Sequence, residues 1–359
     1  MTQRSYKTMG INLKAMPMGE SDRLVTVLTK EQGLVRAIAP GARKHKSKLG
    51  GRSGLFVVND LLFVKGKSID KLVQAETLRS FPGLSKDLAK LTASQYLAEI
   101  VLSQALTDQP QAELYYLLIE HLGRLEAATR ANVLPCLVQA VFHLLVLAGV
   151  APEVFRCCLS RSPLVPELGN PDWYAGFSVS SGGVVDMAEL QRMESDRLKQ
   201  IAQARSERLN RSAPSLAVHD ASADYLPQSL PQSLAKPSAT QPPRPGQRRR
   251  PVVSKELTAN LGIVGYLSAA ELALMQQLSQ PELILSVASS ANPKLAARSG
   301  TIEKAGTPAK MADHSEPHIM WRHIEKILRQ YTQYQFDRPI RSATLIDTCF
   351  TSSTHASRV

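Results

Sequence analysis

Residues 33–52 read GLVRAIAPGARKHKSKLGGR, a short apolar strand pattern that passes through Pro40 and Gly41 into a strongly basic loop. No acidic residue interrupts this stretch. Its glycines permit tight turns, so the sequence predicts a loop that projects between two strands and presents its cations to solvent. Such cations suit a phosphate backbone, because they release condensed counterions without reading any base. The cations of the loop are Arg43, Lys44, Lys46, Lys48 and Arg52.

The charge of the whole chain supports this interpretation. The 359 residues carry a formal net charge of +12. The first 80 residues hold 15 Lys and Arg against 6 Asp and Glu, so nine of the twelve net charges lie there. This asymmetry is typical of proteins that contact a polyanion. The alternative is a merely solvated basic surface, because charged runs usually face water.

The apolar residues and the cysteines of the sequence indicate the cellular compartment of the protein. The longest apolar run, residues 140–151, is interrupted by His143 and is too short to cross a bilayer, and the N-terminus lacks an apolar signal-peptide core. Four cysteines in a chain of this length do not form a disulfide framework, which agrees with a reducing compartment. We therefore expect a cytoplasmic, nucleoid-associated protein without a membrane partner.

Residues 1–80 are predicted to form a small closed barrel. Five β-type runs alternate with turn residues in this part of the chain. Five strands with one long loop fit an OB-fold DNA-binding domain, and an SH3-like barrel is the alternative. The predicted strands are residues 11–16, 24–28, 34–39, 55–64 and 72–78.

From residue 84 the apolar spacing becomes that of helices, which predicts an all-α helical domain over 84–208. A helix at about 132–148 is largely apolar and is expected to be central. Residues 153–187 are rich in Pro, Gly and Ser and are interpreted as an irregular stretch. Thr92 with Gln95 has the spacing of a capping box at a helix start. The predicted fold class is thus α+β, an N-terminal five-stranded OB-type β-barrel followed by a helical domain with irregular and disordered insertions.

The last third of the chain alternates helical and low-complexity segments. Stretches 255–287 and 316–350 are predicted to be C-terminal helices that pack on the helical domain, with Ser268 and Glu271 as a second capping box. Stretches 210–251 and 288–315 have the composition of disordered linkers. The first ends in three consecutive arginines, Arg248 to Arg250, a candidate auxiliary phosphate contact.

Motifs for enzymatic chemistry were not found. The sequence contains no GxxxxGK(S/T), GxGxxG or GxSxG pattern, so we predict no enzyme, no catalytic residue and no cofactor. Nothing in the sequence around Cys157 or Cys158 indicates a depressed thiol pKa. His314, His318 and His323 match a metal-binding helix face only loosely, and solvated histidines are the better interpretation.

Several short motifs, taken in order, resemble the DNA repair protein RecO family. The resemblance covers about residues 5–190, with a weaker match at 321–328 and 341–342. It implies an OB-type barrel, a helical domain and a recombination mediator. Such a mediator binds single- and double-stranded DNA, anneals complementary strands, assists recombinase loading, contacts RecR and recognises the single-stranded DNA-binding protein. The motifs are GESDR at 19–23, Thr29 with 33–34, GARK at 41–44, KLGG at 48–51, QAE at 74–76, YLAE at 96–99, and 144–152 before Cys157.

One departure from this resemblance concerns metal. Many relatives carry two CxxC pairs that bind zinc, whereas this chain has Cys157 and Cys158, with Ser160 where the first pair would close. Near the expected second pair, Asp186 and Glu189 follow Gly182 and Gly183 without a cysteine. Two adjacent thiols do not readily supply the tetrahedral geometry of zinc, so we expect a degenerate module without metal.

The predicted DNA-binding residues combine the loop cations with other cations of the barrel. We expect them to follow phosphates with little reading of bases, because the barrel has few aromatics. An RNA-binding barrel and a protein-interaction scaffold without nucleic-acid function are the alternatives. We also expect the helical domain, through the apolar stretch 134–150, to bind the tail of the single-stranded DNA-binding protein. The DNA-binding residues are Arg36, Arg43, Lys44, Lys46, Lys48, Arg52, Lys65, Lys67 and Lys71.

Overall fold

The computed structural model describes residues 5–211, 253–282 and 315–351. Its first part is a closed five-stranded barrel with the strand order β1-β2-β3-β5-β4, in which β1 pairs with both β2 and β4. Alternate residues of each strand point inward, and small or β-branched side chains such as Val27, Val35 and Ala37 fill the interior. The predicted OB-type barrel is thus confirmed. The strands are β1 Ser5–Met18, β2 Asp22–Thr29, β3 Gly33–Ala39, β4 Val58–Val64 and β5 Asp70–Arg79.

The fourth strand begins at Val58, three residues later than predicted, because the preceding chain folds back on the barrel. Residues 40–57, hereafter the basic loop, form consecutive turns between β3 and β4. Phe56, near the end of the loop, has a φ of 58° and a buried ring, and its N–H donates to the Asn12 carbonyl at 2.8 Å. The loop thus lies between two strands, as the sequence predicted, and its five cations are exposed.

The helical domain is built around α3. Its residues from Val133 to Phe142 are all buried, and α3 packs on α1, α2 and α7. One described segment, Arg130–Leu147, is long and apolar enough to cross a membrane by composition, but 67% of it is buried within the protein, as in a core helix. The helices are α1 Leu88–Gln104, α2 Ala112–Ala127, α3 Val133–Leu147, α4 Met187–Arg211, α5 Lys255–Asn260, α6 Ala269–Gln277, α7 Ser315–Phe336 and α8 Ala343–Thr351.

The description of this domain as all-α needs a correction. The stretch 153–187, predicted to be irregular, contains the strands β6 Tyr174–Ser178 and β7 Gly183–Asp186. A third strand, β8 Ile263–Ser268, pairs with β6 and lies in the stretch 255–287 that was predicted to be helical. Ala175 and Phe177 of β6 are fully buried, so this small sheet completes the helical core.

Backbone contacts join the barrel to the helical domain. The Leu34 N–H donates to the Leu106 carbonyl at 2.8 Å, and the Gln111 N–H donates to the Lys30 carbonyl at 2.9 Å. Gly33 lies between these bonds with a φ of +65°, and a Cβ there would stand 2.1 Å from the Leu106 oxygen. Only glycine fits such a contact, so the β2–β3 turn is fixed against the α1–α2 connection.

Two predicted linkers and the arginine triplet fall on the remaining parts of the chain. Residues 212–251 and 288–314, together with Arg248 to Arg250, lie outside the described residues. Residues 210 and 211 end α4, and residue 315 begins α7, so the helices extend slightly into both predicted linkers.

Candidate nucleic-acid interface

The basic loop has a defined backbone path. Its turns are closed by hydrogen bonds from Lys44 N–H to the Gly41 carbonyl at 3.0 Å, from Ser47 N–H to the Lys44 carbonyl at 3.0 Å, and from Gly50 N–H to the Ser47 carbonyl at 3.2 Å. Among its glycines, only Gly41 has a positive φ, at 61°. Successive turns of this kind place the intervening lysines on the outside of a compact loop.

The β1–β2 turn, which carries the GESDR motif, holds this loop in place. Asp22 Oδ1 accepts from the Gly41 N–H at 2.8 Å, and this bond, with smaller contributions from Ser21 and Lys44, lowers the pKa of the Asp22 carboxyl. The Arg23 guanidinium donates to the Gly50 carbonyl at 3.0 Å and to Ser53 Oγ at 2.8 Å. The loop is therefore tied to the turn at both of its ends.

Two asparagines on barrel strands form hydrogen bonds to the backbone near the end of the basic loop. Asn12 on β1 donates to the carbonyls of Ser53 at 2.6 Å and Gly54 at 3.0 Å, and Asn59 on β4 donates to the Arg52 carbonyl at 2.9 Å. Both asparagines are buried, at 3% and 2% exposure. Buried amides that satisfy loop carbonyls are costly to disturb, so the loop is held on the barrel as a rigid part of it.

The cations of the basic loop fall into two groups. Lys44, Lys46 and Lys48 are exposed, and none of them takes part in an ion pair within the described residues. Arg43 and Arg52 instead contact the protein, since Arg43 Nη1 donates to the Gly19 carbonyl at 2.9 Å and Arg52 Nη1 to the Ala75 carbonyl at 2.7 Å. The two arginines therefore support the loop, while the three lysines face solvent.

The remaining predicted cations surround the junction of β3 and β5. These strands pair in parallel at Ala37 with Asp70 and at Ile38 with Lys71, which brings Lys71 beside β3, close to Arg36. Lys65 and Lys67 lie in the β4–β5 turn, and Lys65 Nζ stands 5.8 Å from the centre of the Tyr6 ring. All four cations are exposed. Arg52, anchored at Ala75 further along β5, lies apart from this group.

The aromatic rings of the barrel are not available as a stacking platform. Phe56, Phe63 and Phe81 are 3%, 0% and 5% exposed. Tyr6 is half-buried, stacks on Phe63 with 5.4 Å between ring centroids, and donates its hydroxyl to Asp70 Oδ2 at 2.6 Å. Because base stacking requires an open ring face, this surface offers charge rather than base contacts.

Comparisons with known proteins agree with this architecture. A family model described as the N-terminal part of recombination protein O matches residues 1–81, and one described as its C-terminal part matches residues 85–224. The chain is 46% identical to the DNA repair protein RecO of Nostoc punctiforme over 353 residues, which are 98% of both chains. The chain belongs to the RecO family. RecO proteins of Acaryochloris marina (44% identity, 97% of this chain and 96% of the relative) and Synechococcus elongatus (36% identity, 99% of both) are also similar.

The residues of this RecO-family chain do not fit a zinc module. Within the described residues, no three His, Cys, Asp or Glu side chains converge as metal ligands. Cys157 is fully buried, and its sulfur accepts from the Asp186 N–H at 3.3 Å. Cys158 is partly buried, and its pKa is raised to about 11, mainly by burial. The absence of bound zinc remains a prediction, and its experimental check is metal analysis.

One expectation about the thiols needs correction. Burial raises the pKa of Cys157, but hydrogen bonds from the Asp186 N–H and from the hydroxyl and N–H of Ser160 outweigh burial and lower it. These bonds come from the end of β7 and from the 157–160 turn, and their geometry cannot be read from the sequence. Cys157 is nevertheless inaccessible, so the described structure gives it no role as a nucleophile.

Three cations that were not among the predicted DNA-binding residues also lie near this RecO-family barrel. Lys14 of β1 and Arg338 and Arg341 of the α7–α8 connection line one groove between the barrel and the helical domain. Lys14 is more than 320 residues from both arginines in sequence, so only the folded chain brings the three together. The spacing of charges along the chain contains no signal for this cluster.

Proposed function

We propose that this RecO-family DNA repair protein binds single- and double-stranded DNA through the phosphate backbone and anneals complementary strands. We further propose that it acts without enzymatic chemistry and assists recombinase loading. The observation that carries the proposal is the set of three exposed lysines, Lys44, Lys46 and Lys48, on a loop whose backbone is fixed by the β1–β2 turn. A rigid, cationic and carboxylate-poor loop is suited to phosphates, because little ordering entropy is lost when it binds.

The same loop supplies a physical reason for annealing. Two complementary strands repel each other through their phosphates, and cations that neutralise both backbones lower this repulsion. Base pairing then provides the driving force, so no nucleotide hydrolysis is required. The chain has no phosphate-cradling GxxxxGK(S/T) loop, which is consistent with annealing in the absence of ATP.

Two protein partners form part of the proposal. RecR and the single-stranded DNA-binding protein are proposed from the family, with the tail of the latter on the helical domain. The apolar stretch 134–150 no longer supports that assignment, because most of its residues form the buried core of α3. Val146, which is 48% exposed, is the large apolar side chain of α3 that reaches the surface. A peptide site on this domain would therefore use other helices.

We also propose a cytoplasmic, nucleoid-associated location.

The experiment is annealing by a loop variant, Lys44→Glu with Lys46→Glu and Lys48→Glu, in the absence of ATP. Arg43 and Arg52 are left in place because they support the loop. We expect the annealing rate of complementary oligonucleotides to fall by about tenfold or more, since three phosphate contacts become repulsive. A fluorescence-quenching assay measures this rate.

The matched control changes the same charge elsewhere, at Lys86→Glu, Arg156→Glu and Lys255→Glu, which are exposed positions outside the basic loop. This variant should anneal at nearly the rate of the wild type. Equal loss in both variants would mean that net charge alone matters, and equal activity in all three proteins would refute the loop as the DNA site. Competition with RNA at matched salt distinguishes an RNA-binding barrel, which would prefer RNA.

A further inference from the structure

A groove of about 650 Å³ separates the barrel from the helical domain. One wall is β1, the other is α1, and the connection between α7 and α8 closes one side. The groove is not part of the surface predicted from the sequence. Its charged lining residues are Lys14, Glu99, Arg338 and Arg341.

The groove carries a surplus of positive charge. Lys14, Arg338 and Arg341 are exposed and form no ion pair within the described residues. The facing carboxylate, Glu99, is occupied by the protein backbone, because it accepts from the Arg341 N–H at 2.6 Å and the Ser342 N–H at 3.2 Å. Cations in a recess attract anions more strongly than cations on a convex surface do.

Backbone contacts fix the arginine-bearing connection in place. The Arg338 N–H donates to the Gln333 carbonyl at 3.3 Å, and the Ile340 N–H donates to the Gln333 side-chain oxygen at 3.1 Å. Together with the bonds to Glu99, they hold this turn against α1. The arginines therefore extend from a rigid support, which reduces the entropy lost when a ligand is bound.

The groove is continuous with the proposed DNA surface. Leu55, at the end of the basic loop, lines the groove, and so does Thr26 of β2. Thr26 pairs with Lys14 on one side and with Arg36 on the other, so Lys14 and Arg36 lie on the same face of the sheet. Two strand spacings separate them by about 10 Å.

We propose that the junction groove is a second phosphate-binding site, which holds the complementary strand while the basic loop holds the first. This inference rests on the proposed function and adds the place of the second strand. A nucleic-acid backbone is favoured over an acidic peptide because Lys14 of the groove and Arg36 of the barrel surface flank Thr26 on the same face of the sheet. Met16 and Leu55, which are 41% and 40% exposed, offer apolar contact to sugars and unstacked bases.

The test uses the full chain and a groove variant, Lys14→Glu with Arg338→Glu and Arg341→Glu. Two short non-complementary oligonucleotides, one with a donor dye and one with an acceptor dye, report simultaneous binding by energy transfer. The groove variant should bind a single strand within about twofold of wild type, because its basic loop is intact, but should lose energy transfer. Its annealing rate should fall on the order of tenfold for three phosphate contacts.

Two controls accompany this variant. The charge-matched surface variant at Lys86, Arg156 and Lys255 should retain both strands. A milder set, Lys14→Gln with Arg338→Gln and Arg341→Gln, removes the charges with less risk to the fold and should give a smaller loss in the same direction. Circular dichroism establishes that each variant is folded.

The outcomes separate this inference from the proposed function. A wild-type protein that binds no single strand overturns both. A wild-type protein that anneals, beside a groove variant that captures the second strand equally well, overturns the inference alone. The inference is also wrong if the groove variant loses single-strand binding as severely as annealing, since the groove would then extend the path of one strand. A last outcome is a groove variant that binds both strands but no longer binds a fluorescent peptide of alternating aspartate and leucine. That result would overturn the inference, because the groove would then be a protein-docking surface.

Discussion

The barrel and the helical domain differ in how far apart their contacting residues lie in sequence. The barrel closes within residues 5–79, and most of its strands pair with a neighbour in the chain. The helical domain draws its core from residues 84–184, 267–278 and 321–350, which are separated by long intervening segments. The barrel is therefore a local structure that can carry a binding loop, whereas the helical domain depends on the docking of distant segments.

A pair of matched core truncations sharpens this comparison and should have the largest effect. Leu61 of β4 and Leu137 of α3 are 2% and 0% exposed. Replacing either by alanine should lower the free energy of unfolding by about 2 to 5 kcal/mol, because each change leaves a cavity. Only Leu137→Ala should also speed hydrogen exchange in α7, which packs on α3, and in β8, which packs on α7.

Hydrogen–deuterium exchange with peptide resolution measures that difference, and urea unfolding gives the two free energies. Leu61→Ala is the control, since its cavity lies inside the barrel. Equal loosening of α7 and β8 in both variants would mean that the barrel and the helical domain behave as one cooperative unit.

A buried histidine pair predicts a pH effect of intermediate size in the helical domain. His143 Nε2 donates to the Leu278 carbonyl at 2.8 Å, and its Nδ1 lies 3.1 Å from His121 Nε2. Burial lowers the pKa of His121 to about 3 and also lowers that of His143. In the unfolded chain both groups titrate near about 6.5, so the unfolded state binds protons first as the pH falls.

Stability should therefore be complete above about pH 6.5 and decrease as the pH falls toward 5, by up to about 2 kcal/mol for His121. Urea midpoints at these two pH values measure the change. The His121→Gln variant can still donate to His143 but does not titrate, so its midpoint should shift less. An identical shift in the variant would show that other groups cause the pH dependence.

Removal of the helix cap at the start of α6 should have the smallest effect on stability of the three changes. Ser268 and Glu271 form a complete capping box, and Glu271 Oε1 also lies 2.8 Å from His323 Nδ1 of α7. Ser268→Ala should cost about 1 kcal/mol in the free energy of unfolding. Ser85→Ala, at an exposed position in a short 3-10 helix, is the control and should change stability little. A cost below that of the control would indicate that the cap is not needed once α6 is docked.

Local patterns predicted part of this structure for identifiable reasons. The alternation of apolar residues around Val25 and Val27 is visible in sequence because one face of each barrel strand is buried. The capping box predicted at Ser268 also depends on local sequence, and it was confirmed. The prediction of a capping box at Thr92 was wrong. Asp87 caps α1, and the Thr92 hydroxyl donates to the Leu88 carbonyl inside that helix. The same spacing occurs at both places, and only the preceding residues decide which one starts a helix.

Features that depend on distant segments could not be predicted in the same way. β6 has five residues, β7 has four, and β8 pairs with β6 from about 90 positions later in the chain, so none gives a distinct periodic pattern. The cations of the basic loop could be predicted because they lie close together in one continuous stretch of sequence. By contrast, the groove arginines Arg338 and Arg341 reach Lys14 only through the packing of the α7–α8 connection on α1.

The most direct test of the central claim is the salt dependence of single-stranded DNA binding. The wild type and the variant Lys44→Glu, Lys46→Glu, Lys48→Glu are compared as log affinity against log salt concentration, with circular dichroism to verify the fold. Three lost phosphate contacts should make the slope shallower by about 2, at roughly 0.7 per contact on a single strand. Parallel lines for two folded proteins would contradict the account, because the lysines of the basic loop would then make no contact with phosphate.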